Sequence, residues 1–436
     1  MEGACVHDLP PGALHLEQTL RTPYLLMANF IRNSFTPELA SRLLGLMLLA
    51  WQPFTGGARF PSFLLLLLGG WLLFKKRIDW SDQSIQRLGI IFLLLLAPIL
   101  ISIPGSFNPN GSAKVALVLM LFFVAGLALM QGLKTEAEHA WMQRWLAIVL
   151  MVWLGDGLIQ YVFGYDVLGI PMGSDGRMMG PFPDNLHFSL FLTVLMPIML
   201  WRMTKEHPLA AIAIIALIGF VAGMSGARSN ILFYLLAIAT VMPRFGWQHR
   251  ALIVLALLVG VVAAVGQSET TASKFEQFDA RTEEQSLFKK LDHILSGRMI
   301  IWETAGEMIK DRPLTGVGAG AFDDAYDHYA TRAEDPFRSG GSYVGGVYHA
   351  HQMYVSIAAE SGLIGLAGLL IAIALIVRWY FQASPGHRAL AAPYAASLAV
   401  IAFPIQSQPV LYRAWWFPIV LLLLCGFVIA LQAKKT

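Results

Sequence analysis

Two histidines, His349 and His351, stand two residues apart in GGVYHAHQMYVSIAAESGLIG, where a polar region gives way to an apolar run. An extended backbone would point both rings the same way, which suits a metal pair. A helix would splay them by about 200°. The metal reading needs a third ligand from His328, Asp323, Asp324, Asp327 or His293, and none stands at a recognisable ligand spacing. The base reading needs only one neutral imidazole near a hydroxyl, and an unperturbed imidazole titrates near about 6.5. A third reading makes both rings ordinary interfacial side chains. Glu360 lies about 13 Å further along a helix and on the opposite face, so it is a poor orienting partner for His351. Tyr354 is the closer neighbour on the same face.

Four arginines form the second group. Arg177 lies in GRMMGPFPDN, Arg228 in SGARSN, Arg298 in SGRMIIW and Arg413 in LYRAWW. Taken singly, each reads as an interfacial cation snorkelling toward lipid headgroups. Arg228 and Arg298, however, are expected at helix N-termini, where a cation opposes the macrodipole. An anion at the same place reverses that sign, because helix N–H groups and guanidinium then point at one ligand. Several such arginines around one cavity would make a phosphate clamp, since guanidinium is permanently charged and bidentate toward phosphate. Asp156 and Glu360 fall inside apolar runs. An intramembrane carboxylate is either functional or paired with an arginine.

Motif absences narrow the chemistry. No Walker loop, zinc-protease helix or dinucleotide fingerprint is present, and GVGAGAF follows a helix and precedes acidic residues, so it reads as a turn. The two cysteines, Cys5 and Cys425, are too few for a disulfide framework or a thiolate metal site.

The elements that must position these residues are apolar. Of 436 residues, 56% are hydrophobic and only 14% charged, with a mean hydropathy of +0.59. A soluble chain carries about 25% charge, so this composition describes an all-α polytopic membrane protein. About twelve spans are expected, at 39–54, 59–74, 87–104, 113–132, 143–163, 186–202, 208–225, 229–243, 250–267, 352–377, 389–408 and 413–431; the first two are short enough for a re-entrant hairpin. The net charge of +3 is small and its cations are dispersed, which excludes nucleic acid as a partner. Internal repeats are not visible, and paired broken helices are not expected, which counts against a lipid or glycan transporter.

Alternate connections at 75–87, 133–144, 202–207, 243–250, 378–388 and after 431 hold 14 Lys and Arg, against five at Arg59, Lys114, Arg177, Arg228 and Arg413. This bias places both termini in the cytoplasm. Residues 1–38 lack the pattern of a secretory signal and read as a polar cytoplasmic tail. The organisation is then a tail (1–38), nine spans (39–267), an outer insertion (268–350) and three spans (351–436). The insertion carries 14 acidic and nine basic residues. Its pattern predicts two amphipathic helices over the outer mouth of the bundle. One carries Leu287, Leu291, Ile294 and Leu295. The other carries Ile301 or Trp302, Ala305, Met308 and Ile309 and stops at Pro313. A glycine-rich turn and an acidic stretch, DDAYDHYATRAEDP, follow.

GRMIIWETAGEMIKDRPLTGVGAGAF, followed by HAHQMYVSIAAESGLIGLAGLL, resembles the signature of the O-antigen ligase and polymerase superfamily. The shared features are an arginine-and-tryptophan helix, a Pro-Leu-x-Gly-x-Gly-x-Gly turn and a histidine before Glu-x-Gly-x-x-Gly. GRMMGPFPDN and SGARSN resemble two further arginine motifs of the superfamily, in the expected order. The resemblance implies a GT-C-like periplasmic glycosyltransferase of the bacterial inner membrane, working without metal or other cofactor on an undecaprenyl-pyrophosphate-linked glycan. For a ligase, the acceptor is the terminal sugar of lipid A–core, and direct attack inverts the anomeric centre. The motif carries the family's functional histidine onto His351, here followed by Gln352 where Asn is usual, with His349 as an extra neighbour. Its phosphate-facing arginines carry over onto Arg177, Arg228 and Arg298. His351, with Arg298, is therefore the expected catalytic pair, and His349, Asp156, Tyr354, Glu360 and Arg413 are secondary. An O-antigen polymerase, with a second lipid-linked glycan as acceptor, and a protein-glycosylating oligosaccharyltransferase are the other readings within the superfamily.

Overall fold

Polar caps and prolines decide where each apolar run becomes a helix. The computed structural model describes residues 36–54, 56–174, 176–183, 187–226, 228–267, 298–332, 335–338, 349–404 and 415–434. Thr36 caps α1 (Pro37–Ala50), which turns into α2 (Arg59–Phe74). Asp82 caps α3 (Gln83–Ser102), and Asn108 caps α4 (Pro109–Leu129). Thr135 and Glu138 close a capping box at the start of α5 (Glu136–Phe163). α6 (His187–Leu200), α7 (Pro208–Met224), α8 (Arg228–Val241) and α9 (Trp247–Gln267) follow. The insertion contributes α10 (Arg298–Asp311) and α11 (Phe322–Tyr329). Gln352 and Ser384 cap α12 (Met353–Gln382) and α13 (Pro385–Ile401), and α14 (Phe417–Ala430) ends the bundle.

Among the described residues there is no β-strand, only two isolated bridges. Each of the twelve apolar windows overlaps a helix. The stretches Gln83–Gly105, Pro109–Gly132, Glu136–Phe163 and Met353–Gln382 are long and apolar enough to cross a membrane. Several others are shorter. α1, with 14 residues, rises about 21 Å, against a hydrocarbon core of about 30 Å. Helix ends depart from the windows because caps recruit polar first turns. α5 begins seven residues before its window, where Thr135 and Glu138 satisfy the first N–H groups.

One apolar core runs through the bundle, with α2 against α4, α3 against α12, and α7 against α9. Gly69 permits the α2–α4 crossing, because a Cβ there would overlap the Val124 carbonyl. A second, smaller core sits in the insertion. It joins Ile301, Ala305 and Met308 of α10 to Phe322 and Tyr326 of α11 and to Ala359 of α12. The face expected for the second amphipathic helix is thus the one buried. Leu287, Leu291, Ile294, Leu295 and His293, on the first expected helix, lie outside the described residues, as does the tail up to residue 35. The acidic stretch differs from expectation, since half of it is α11. Its Phe322, Ala325, Tyr326 and Tyr329 recur at helical spacing and are buried, while Asp323 and Asp324 cover the first turn.

The six basic connections gather at one end. Lys434 N–H donates to the Lys134 carbonyl at 3.0 Å, and Gln432 Nε2 to Asp82 at 2.5 Å. Gln143 Nε2 reaches the Leu390 carbonyl at 3.5 Å. Arg244 donates to Thr204 Oγ1 and to the Trp201 carbonyl, both at 2.9 Å. Guanidiniums lie over indoles here, Arg244 at 3.9 Å from Trp201, Arg77 at 4.9 Å from Trp71 and Arg87 at 5.7 Å from Trp379. The insertion, the Arg177 loop and the histidines occupy the opposite end.

Candidate functional site

The histidine pair is held by backbone, and neither expected geometry applies. His351 has a φ of 50°, in the left-handed region that residues with a Cβ seldom enter. The segment is therefore neither strand nor helix, and it turns the two rings toward each other with centroids 4.2 Å apart. Ala350, between them, is buried and fixed on both sides. Its carbonyl accepts from Trp302 Nε1 at 2.8 Å, and its N–H donates to Ser356 Oγ at 3.1 Å. Gln352 caps α12 through its Oε1, which accepts from Val355 N–H, while its Nε2 donates to the Pro404 carbonyl at 2.5 Å. Both rings are half-buried. No cluster of three or more His, Cys, Asp or Glu suited to a metal occurs among the described residues.

α10 opens on an arginine and reaches this pair through its tryptophan. Arg298 opens the helix as expected, half-buried and one turn before Trp302, so the two share a face. The indole bond to Ala350 therefore ties the helix that opens at Arg298 to the backbone between the histidines. Tyr354 is not a same-face neighbour of His351, because His351 lies outside the helix; its hydroxyl donates to the Ala402 carbonyl instead.

Glu360 has a structural partner that sequence spacing does not reveal. Its Oε2 accepts from Gly320 N–H at 2.9 Å, across 40 residues. Around it the glycine turn docks on α12. Val317 and Gly318 N–H groups donate to the carbonyls of Ala359 and Glu360, both at 2.9 Å, and Leu363 N–H donates to the Pro313 carbonyl at 2.7 Å. These bonds require a break in α12 at Gly362, whose φ of 66° and ψ of −171° are non-helical. A Cβ there would overlap the Leu314 carbonyl. The Pro-Leu-x-Gly turn and the Glu-x-Gly motif are thus two halves of one joint. The α3–α4 connection completes it, through Phe107 N–H to the Val317 carbonyl at 2.9 Å, Ser112 Oγ to the Ala319 carbonyl at 2.9 Å and Arg312 to the Gly105 carbonyl.

The remaining arginines belong to a neighbouring group. The Arg177 loop is organised by Gln160, a buried residue near the end of α5. Its Oε1 accepts from Met179 and Gly180 N–H at 2.9 and 2.8 Å, and its Nε2 donates to the Ile170 and Pro171 carbonyls at 3.1 and 3.2 Å. Asp156, one turn earlier, accepts from Val167 N–H at 3.0 Å, so it too anchors this loop. Met178 N–H donates to the Met224 carbonyl at 3.4 Å, tying the Arg177 loop to the end of α7, four residues before Arg228. Arg228 opens α8 as expected; its side chain, like Arg413, lies outside the described residues. The described residues on either side of 405–414 are held in place. Pro404 accepts from Gln352, and Trp415 stacks on His187 with centroids 3.8 Å apart. His187 directly follows the Arg177 loop, so Trp415 packs beside that loop, while Pro404 lies beside the histidines.

An apolar groove of about 430 Å³ follows α12 against α13. It runs from Tyr380 and Phe381 at the basic end to Met353, Phe403 and Pro404 beside the histidines.

Sequence reasoning did not single out Gln160 or His187. A lone buried Gln at the end of a span, followed by a Gly/Pro-rich loop, was the available signal for the first. The second depended on Trp415, more than 200 residues away.

Residues 212–370 match a family model described as O-antigen ligase. The match encloses Arg228, Arg298, His349, His351, Tyr354 and Glu360, and leaves Asp156, Arg177 and Arg413 outside. Over this stretch the chain is similar to the O-antigen ligase family, as the motifs suggest. No curated protein matches the chain.

Proposed function

We propose that this protein is an O-antigen ligase, a membrane glycosyltransferase of GT-C type. It transfers a glycan from undecaprenyl pyrophosphate to the terminal sugar of lipid A–core, at the periplasmic side of the inner membrane. The observation that carries this reading is the left-handed His351 next to Ala350, whose carbonyl is held by Trp302 of the helix that opens at Arg298, within the family-matched stretch. A left-handed residue with a Cβ costs on the order of 1–3 kcal/mol, and such strain concentrates at functional sites.

In this mechanism a His351 ring nitrogen takes the proton of the acceptor hydroxyl as its oxygen attacks the anomeric carbon. The anomeric C–O bond to phosphate breaks, and undecaprenyl pyrophosphate leaves with the bond's electron pair. Arg298, with Arg177 and Arg228, holds the charge developing on the pyrophosphate, so no strong general acid is needed. Attack opposite the leaving group inverts the centre. The apolar groove ending beside the histidines offers the lipid tail of the donor a path along α12. Gathering of the basic connections at one end supports cytoplasmic termini and a periplasmic site at the other.

The test is metal-free transfer between purified lipid-linked donor and purified lipid A–core. His351→Ala is expected to lower turnover about 10²–10⁴-fold while the protein stays folded. Wild-type turnover in that variant removes the base role. Arg298→Ala is expected to weaken donor binding, and unchanged donor affinity removes the clamp role. Transfer to a second lipid-linked glycan in place of lipid A–core would reassign the enzyme as a polymerase.

A further inference from the structure

At the basic end, α5 and the C-terminal end of α6 enclose a cleft of about 500 Å³. One wall is a stripe of α5 made by Arg144, Ile148, Met151 and Val152, and the other is Ile198 with Arg202 just past α6. Ile148, Met151 and Val152 are 41, 39 and 62% exposed, so the cleft presents an apolar surface outward. In a membrane-spanning chain that surface meets acyl chains. Both arginines lie at one mouth, beside Trp145, which is 41% exposed and packs on Trp141 at 6.0 Å. Exposed tryptophans of this kind mark the headgroup level. From Arg144 to Val152 the helix rises about 12 Å, most of the hydrocarbon depth of one leaflet.

We propose that this cleft binds one anionic phospholipid, with its phosphate between Arg144 and Arg202 and one acyl chain along Ile148, Met151, Val152 and Ile198. Charge selects the ligand. Two guanidiniums attract and fork onto phosphate oxygens, whereas the ammonium group of a zwitterionic lipid meets like charge. Glu206, the one carboxylate in the lining, accepts from Nε and Nη2 of Arg202, the latter at 3.0 Å. Such an exposed pair is weak, and it engages one edge of the guanidinium only. The site is remote from the histidines and stands independently of the transferase reading.

The test uses the full-length protein in nanodiscs of phosphatidylcholine doped with phosphatidylglycerol, with retained lipid counted by native mass spectrometry. One phosphatidylglycerol is expected to stay bound in preference to phosphatidylcholine. Arg144→Gln with Arg202→Gln should weaken retention about thirtyfold, at roughly fivefold per arginine. Ile148→Trp, which fills the apolar floor and leaves both charges, should weaken it as well. Equal retention of the two lipids, or undiminished phosphatidylglycerol on the double variant, overturns the proposal. Displacement by millimolar inorganic phosphate would also overturn it, by making the site one for free phosphate.

Discussion

The two ends of the bundle are built differently. At the basic end, helices start at ordinary caps, and arginines rest on indole faces. At the histidine end, a helix breaks at Gly362, a carboxylate is buried on a backbone N–H, and His351 sits in a left-handed conformation. The first end is tied by single hydrogen bonds between helix ends and short connections, such as Lys434 N–H to the Lys134 carbonyl and Arg244 to Thr204. The second docks a whole turn, residues 313–320, on α12 through backbone and carboxylate bonds that span 40 or more residues. The break at Gly362 and the buried Glu360 stand at the end of the proposed chemistry, while left-handed residues with a Cβ occur at both ends, His351 at this one and Lys76 at the other.

This contrast can be broken or sharpened by substitution, with thermal unfolding in detergent as the common measurement. Gly362→Val carries the largest expected effect. It places a branched side chain at φ 66° against the Leu314 carbonyl, and a loss exceeding about 3 kcal/mol is expected from backbone strain and overpacking together. A variant as stable as the wild type would mean that the turn does not dock on α12. Next comes Glu360→Ala, which strands the Gly320 N–H and should cost about 1–3 kcal/mol. Glu360→Gln keeps an acceptor oxygen and should recover much of that loss; equal damage from both would make the charge, not the hydrogen bond, the essential feature.

On the basic end the effects are smaller. Arg244→Ala removes two hydrogen bonds and a cation–π contact that a partly exposed site makes worth about 1–2 kcal/mol in all. Thr135→Ala opens the capping box and should cost about 1 kcal/mol. If either lowered stability more than Gly362→Val, the docked turn would not be what distinguishes the two ends.

Much of the fold is legible in the sequence, because partition into lipid and helix start signals are local sums. Pro37, Pro109, Pro208 and Pro385 each sit in the first turn of a helix, after a capping Thr, Asn or Ser in three of the four cases. Arg228 and Arg298 open helices where their flanking glycines and apolar patterns put them. α11 was readable too, since Phe322, Ala325, Tyr326 and Tyr329 keep a 3.6-residue period beneath the acidic composition that disguises it. The candidate site was half legible. Motif spacing pointed to His351 and Arg298, whereas helical arithmetic misplaced Tyr354 by assuming that His351 lay within α12. Glu360 looked like a chemical group because a carboxylate in an apolar run has no local partner. Its partner, Gly320, is distant in sequence and offers only a backbone N–H.

By itself, the sequence determined an all-helical membrane protein, the helix starts set by caps and prolines, and the asymmetry of its cations. Each of these follows from residue type summed over a few neighbours. The tertiary structure alone decided that the glycine turn and the Glu-x-Gly motif form one joint, that Trp302 holds the backbone between the histidines, and that Gln160 shapes the Arg177 loop. Those contacts pair backbone groups, which every residue carries, so no side-chain pattern announces them before the chain closes on itself.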